Sequence, residues 1–186
     1  MSSLSVQPIS GSYRAQALAS SFAFGVRHSG VFWYRGALSD VTATLRGDAE
    51  RLSLQGSARV DSISILEPAP LRAHLLGPDF FDAERHPEVT FRSTVIDLTD
   101  DQGAALQGEL TMRGVSRPIG AVGQYAGPRM SSFGELVGLE LHTSLDRRAF
   151  GLDWQAQLPG GENALGWDVE VDIDLLFIRE VSGGQA

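Results

Sequence analysis

The chain predicts an all-β fold of about eight antiparallel strands, rolled into a barrel or packed as a sandwich. Three observations carry this. Apolar and polar residues alternate with a period of two over short runs. Turns bearing glycine, aspartate or proline separate those runs. The length of 186 residues suits one domain with a sizeable core.

The runs are justified in chain order. Ser20 to His28 puts Phe22, Phe24 and Val26 on one face, and His28 shares their parity. Thr42 to Leu45 is short and weak. Leu52, Leu54, Ala58 and Val60 align in the next run. Val89, Phe91 and Val95 share a face with Ser93. Leu106, Gly108, Leu110 and Met112 share another. Pro118 opens a run to Tyr125, where a missing N–H is tolerated at a strand start. Val137, Leu139, Leu141 and Leu145 align, and counting by twos adds Thr143 and then Arg147. The clearest run comes last: Trp167, Val169, Val171, Ile173 and Leu175 on one face, Asp168, Glu170, Asp172 and Asp174 on the other. A helix would scatter those acids around its circumference; a strand sends all four to water.

Between Glu67 and Pro87 the alternation fails. Leu71, Leu75 and Leu76 have the spacing of one or two helical turns, ended by Gly77-Pro78. Asp79 can cap a second turn holding Phe80 and Phe81. One or two short helices are therefore expected after residue 68, covering or lidding one mouth. Asp100, Asp101 and Gly103 mark a hairpin turn. Ala126 to Gly134 reads as a polar, mobile loop, and residues 181–186 as a frayed tail. A single domain with its core over residues 13–178 is expected.

Composition excludes several functions. Net charge is −8, every basic residue is arginine, and no basic run exists, so nucleic acid is not an expected partner. Cysteine is absent, which removes disulfides and thiolate chemistry. No apolar stretch approaches the ~20 residues that span a bilayer, so stable membrane insertion is not expected. The N-terminal residues lack a charged segment followed by an apolar one, which predicts a cytoplasmic location.

Few residues suggest chemistry. His28, His74, His86 and His142 show no metal-ligand spacing, so neither a metal site nor a required cofactor is expected. No nucleophile elbow is present, and a non-catalytic role follows. His28 points inward, and a buried imidazole needs a partner: backbone, a serine, or the polar head of a ligand. Arg147 also points inward. Its forked donors suit a carbonyl, carboxylate or diphosphate; alternatively Asp146, Asp153 or a loop carbonyl takes them up. Ser93 and Thr143 would complete a small polar cluster in an apolar interior. Trp33, Trp154, Trp167, Phe80, Phe81, Phe91 and Phe150 are core by default. A barrel of about eight strands is either filled or holds one ligand, and residue patterns alone do not choose.

Four segments, in order, carry a resemblance. They are Ser20-Ser21-Phe22 to Arg27-His28-Ser29-Gly30 with Arg35-Gly36; Asp79-Phe80-Phe81-Asp82 with His86-Pro87-Glu88-Val89-Thr90-Phe91-Arg92-Ser93-Thr94; Gly108-Glu109-Leu110-Thr111-Met112-Arg113-Gly114-Val115-Ser116-Arg117-Pro118; and Arg147-Arg148-Ala149-Phe150-Gly151. Together they resemble the YceI-like family. The resemblance implies a lipocalin-like antiparallel barrel whose tunnel takes a polyisoprenoid, quinone, fatty acid or fatty amide, and it extends to a homodimer. Combined with inward parity, it implies ligand contact by Phe22, Phe24, Val26, His28, Leu75, Phe80, Phe81, Phe91, Ser93, Leu110, Met112, Leu139, Leu141, Thr143, Arg147, Phe150, Trp167 and Val169. The chain departs from the family's pattern at Arg72, where an acid usually stands two residues before His74, and in lacking the secretory segment many relatives carry. The expected function is binding or transport of a long apolar ligand. The alternative is an enzyme that modifies such a lipid through His28 and Arg147, which requires both to face one cavity. A structural module with a solid core is the third reading.

Overall fold

The computed structural model describes residues 8–48 and 51–181. It contains ten strands: β1 (Gly11–Ala15), β2 (Ser21–His28), β3 (Phe32–Leu38), β4 (Val41–Gly47), β5 (Leu52–Arg59), β6 (Glu88–Leu98), β7 (Gly103–Met112), β8 (Val115–Ser131), β9 (Gly134–Asp146) and β10 (Leu165–Arg179). One α-helix, α1 (Ala69–Leu76), lies between β5 and β6. The predicted frayed tail falls mostly outside the described residues.

Eight of these strands close an antiparallel barrel in the order β1-β4-β5-β6-β7-β8-β9-β10, with β10 returning to β1. Closure removes the exposed edges that an open sheet would leave. The long β10 makes this possible. Its C-terminal end pairs with β1, from Tyr13↔Arg179 to Ala15↔Phe177, and its remainder pairs with β2. β1 and β2 thus run end to end along one neighbour, interrupted by a 3-10 turn at Ala17–Ala19. Beyond this break hairpin β2–β3 continues the wall beside β10. The end of β3 meets the segment after β5 instead of another strand: Leu38 bridges Ile63, and Ser64 N–H donates to Ala37 O at 2.8 Å. The non-alternating stretch before β6 therefore completes the wall beside one mouth. Arg113, in the β7–β8 turn, ties it down by donating to Pro78 O (2.9 Å) and to Gly151 O.

Alternation governs burial where it was clearest. Along β7, Ala104, Leu106, Gly108, Leu110 and Met112 are buried while Ala105, Gln107 and Glu109 are exposed. Glycine serves this packing at Gly108. A Cβ there would lie 2.4 Å from both the Phe91 ring and Arg92 O, so only glycine lets Phe91 lie across β7.

Two expectations need correction. Ala126 to Gly134 is not a loop: β8 continues through it to Ser131, with a register shift between Ala126 and Arg129 at the left-handed Gly127 (φ +101°). Val95 does not point inward. A register shift between Ser93 and Val95 turns it outward, leaving it 41% exposed, and brings Ile96 against the core instead. One helix forms, within the one or two expected after residue 68. Residues after Gly77 make successive turns, with Phe80 and Asp82 N–H both donating to Gly77 O.

The barrel exterior carries a pH-sensitive contact. His142 on β9 lies between two acids of β10, with Nε2 2.9 Å from Glu170 and Nδ1 2.8 Å from Asp172. The hydrogen bond to Asp172, then attraction to both acids, raises the imidazole pKa above its ordinary value of 6.5. A raised pKa means the contact is fully stabilising below the unfolded value and is lost as pH rises through the folded one. His142→Gln should therefore lower the melting temperature at pH 6 and have no such effect at pH 9. Because the site is exposed, the difference should be below about 1 kcal/mol. A pH-independent difference would show that packing, not charge, is involved.

Candidate functional site

The barrel interior is a run of three adjoining apolar cavities. The deepest, about 70 Å³, is bordered by Phe22, Phe91, Leu110, Leu141, Thr143 and Val171, with Ala43, Ala58 and Ala121 on its wall. The next, about 90 Å³, shares Phe22, Leu110, Leu145 and Val171 with the first. It adds Phe24, Val26, Leu75, Phe80, Phe81, Met112, Val169 and Arg147. The third, about 210 Å³, shares Phe24, Val26, Leu75, Phe80 and Leu165 with the second and forms the mouth. His28, Tyr34, Ile65, Leu71, His74 and Trp154 surround it.

Three features of the sequence make this bore. Strand parity aims Phe22, Phe24 and Val26 of β2 down it in order. Small residues on facing strands, Ala43, Ala58 and Ala121, leave space that larger side chains would fill. Helix α1 and the turn after it supply Leu75, Phe80 and Phe81, and Phe81 meets Phe24 edge to face at 6.3 Å. The aromatic groups at the mouth hold one another: His74 packs on Phe80 and Trp154 (5.0 and 4.8 Å), and His28 packs on Phe32 and Tyr34 (4.8 and 5.2 Å).

Polar groups on this path are almost all satisfied by the protein. Thr143 Oγ1 donates to Gly120 O at 2.6 Å, so it presents carbon to the cavity. His28 Nδ1 lies 2.9 Å from Ser29 Oγ. Arg147 is different. The 3-10 turn Arg147–Phe150 buries both its end residues, held by Asp146 accepting from Arg148 N–H (2.9 Å) and by Gly151 in the left-handed region (φ +73°). Arg147 is only 3% exposed. Its Nε donates to Gly166 O (2.8 Å) and its Nη1 to Leu152 O and Trp154 O (2.5 and 2.9 Å). Its guanidinium lies 4.4 Å from the Trp167 ring centre. Its Nη2 is buried with no hydrogen-bond partner. Desolvation draws the pKa of this guanidinium down, opposed only by the more distant charges of Asp146 and Asp153.

Thirteen of the predicted contact residues border the two inner cavities, and His28 borders the mouth. Four do not border the bore. Ser93 sits at the β6 register shift, where its Oγ accepts from Leu54 N–H at 2.8 Å. Leu139 is core at the barrel's other end, opposite Tyr125 and Leu175. Phe150 is fixed in the core by its turn. Trp167 lies where β10 shifts register between Leu165 and Val169, and it carries the guanidinium groups of Arg147 and Arg148. Residues not anticipated include Ala43, Ala58, Ala121, Leu152, Leu165 and Tyr34. The inward alanines had a usable signal in strand parity. The loop residue Leu152 had none.

Comparison with known proteins fits this geometry. A YceI-like domain matches residues 13–177. The chain belongs to the YceI-like family. This YceI-like chain is 28% identical over 108 residues to a UPF0312 protein of Pseudomonas putida (strain GB-1), covering 58% of the chain and 53% of that relative. It thus spans about half the length of the first curated relatives it matches. A UPF0312 protein of Azotobacter vinelandii is 27% identical over 137 residues, with 69% of each chain covered. Among solved structures, Burkholderia cenocepacia BcnA superposes with a TM-score of 0.71 at 18% identity, over 87% of this chain and 98% of that one. A polyisoprenoid binding domain from Saccharophagus degradans gives 0.66 at 13% identity, over 90% and 98%. At these identities the structures establish the shared YceI-like fold.

Proposed function

We propose that this YceI-like protein binds one long-chain apolar molecule along the barrel axis, as a carrier and not a catalyst. The observation behind the reading is the run of adjoining cavities walled almost entirely by carbon, from Ala121 to the aromatic mouth. Such a bore binds by burial alone. Each methylene removed from water contributes about 0.8 kcal/mol, so a dozen contribute about 10 kcal/mol before the cost of association is subtracted. The family membership and the polyisoprenoid binding domain of S. degradans support a lipid of this shape.

The alternative, a lipid-modifying enzyme using His28 and Arg147, receives less support. His28 borders the mouth cavity and Arg147 the one beneath it, and the two share no cavity. Organic extraction of the purified protein should release about one equivalent of a long-chain amphiphile, unchanged in structure after incubation with the protein. An extract free of such molecules, from protein that also fails to take up added lipid, would contradict the carrier reading.

A further inference from the structure

We propose that the tip of the β2–β3 hairpin seats the barrel mouth on the surface of an anionic lipid bilayer. This docking deepens the carrier reading and rests on it, since the mouth is the entrance to the bore. The hairpin turns at Ser29 and Gly30, both in the left-handed region (φ +52° and +67°). Val31 follows and is 78% exposed, and Phe32 is 45% exposed. Phe32 stacks on His28 and meets Tyr34 edge to face, and His28 and Tyr34 line the mouth. Leu66, 62% exposed, follows Ile65 on the same rim. Val31, Phe32, Tyr34 and Leu66 therefore present carbon to water beside the opening of an apolar bore. Exposed apolar groups gathered in this way mark a contact surface.

The order of residues below the tip points to the partner. Val31 and Phe32 come first. Next, Trp33 pairs across the hairpin with Arg27, and further down Arg35 pairs with Gly25. The guanidinium carbons of Arg27 and Arg35 lie 4.5 and 5.4 Å from the Trp33 ring centre. Among the described residues neither arginine forms an ion pair with a carboxylate. An apolar tip, then an indole, then arginine matches the passage from hydrocarbon through headgroups to water. Arginine suits the phosphates of that middle layer. The net charge of −8 would repel such a surface if it were spread evenly. It is not: four acids run down the outer wall on β10, from Asp168 to Asp174, and a charge is screened beyond about 8 Å at physiological salt. Near the mouth, Glu67 accepts from Ala69 N–H and Asp79 lies 3.3 Å from His74. A protein partner is less well served, because stable interfaces take about 20–30 residues a side and this surface is a turn and its rim. A second apolar turn, at Met130 and Phe133, borders none of the three cavities of the bore. With the hairpin docked, an apolar chain passes between bilayer and bore without crossing water.

The test floats the intact protein with vesicles of phosphatidylcholine, alone or mixed with phosphatidylglycerol. Binding should be about tenfold tighter to the mixed vesicles, and the difference should shrink as salt rises. Arg27→Gln and Arg35→Gln should each weaken binding to the mixed vesicles about fivefold, the effect of one arginine near such a surface. Val31→Ser should weaken it about tenfold at every salt concentration, because it removes apolar area and no charge. Phe133→Ser takes an equally exposed apolar group from the other turn, where Phe133 is 79% exposed, and should change nothing. All four side chains lie on the surface, so the variants keep the fold. Binding that is indifferent to Val31, Arg27 and Arg35, or that Phe133→Ser abolishes, overturns the proposal. So does capture of a protein partner at Val31 in the absence of vesicle binding. Uptake of the fluorescent apolar probe N-phenyl-1-naphthylamine from solution is measured in parallel. Uptake without vesicle binding overturns docking and leaves the carrier reading standing; loss of both overturns both.

Discussion

Ala121→Phe is expected to leave the barrel folded and to abolish uptake of long-chain ligands. Ala121 stands on β8 opposite Leu106 and borders the deepest cavity, where it is 7% exposed. A benzyl group there projects into about 70 Å³ of free space shared with Phe22, Leu110 and Val171. Overfilling costs about 1–3 kcal/mol of fold stability in a well-packed core, and the existing void reduces that cost. The ligand loses more. Excluding about five methylenes from the deep end removes about 4 kcal/mol, close to a thousandfold in affinity. Probe displacement and extraction measure the loss, and near-ultraviolet circular dichroism confirms the fold. A variant that folds and still carries a full equivalent of ligand would place the binding site elsewhere.

Tyr13→Ala should have the largest effect on stability. β1 is only five residues long, yet it joins β4 to β10 and so closes the barrel. Tyr13 is fully buried in the core that also contains Val137 and Phe177. Its hydroxyl donates to Glu135, which Arg179 also holds at 3.3 Å. Burial, reinforced by Glu135, pushes the phenol pKa up to about 12, so it remains a donor through the working range of pH. Removing the ring should cost about 3–5 kcal/mol, a large share of the ~5–15 kcal/mol by which domains are stable. Tyr13→Phe keeps the packing and loses one bond to a charged group, about 1.5–3 kcal/mol. Urea denaturation of the three proteins checks the order. A Tyr13→Ala loss below about 1 kcal/mol would show that β1 is not the closing strand.

Legibility followed the physics of each element. β7 and β10 were readable because one face is core and the other water, so every second residue reports its side. β1 and β3 were missed for separate reasons. β1 offers only Tyr13 and Ala15 inward, too few to show a period. β3 exposes Phe32 and Tyr34 at the mouth, so its apolar residues do not mark a core face. Counting by twos failed at Val95, because a register shift reverses parity and leaves no trace in composition. Parity put Phe22, Phe24, Val26, Leu141, Thr143 and Arg147 on the cavity walls. It did not reveal which facing positions are small enough to leave a void. Nor did it reveal that Asp146, next to Arg147 in sequence, is bound to Arg148 instead. Those facts depend on three-dimensional pairing across β4, β5, β8 and the turn after β9.

The most direct measurement is a crystal structure of the protein as purified from its producing cells. Elongated density should run through the barrel past Phe22 and Leu110. Rotamers of Phe22, Phe91 and Leu110 that close the space against Ala43, Ala58 and Ala121 would contradict a ligand-binding bore and make this a solid-cored barrel.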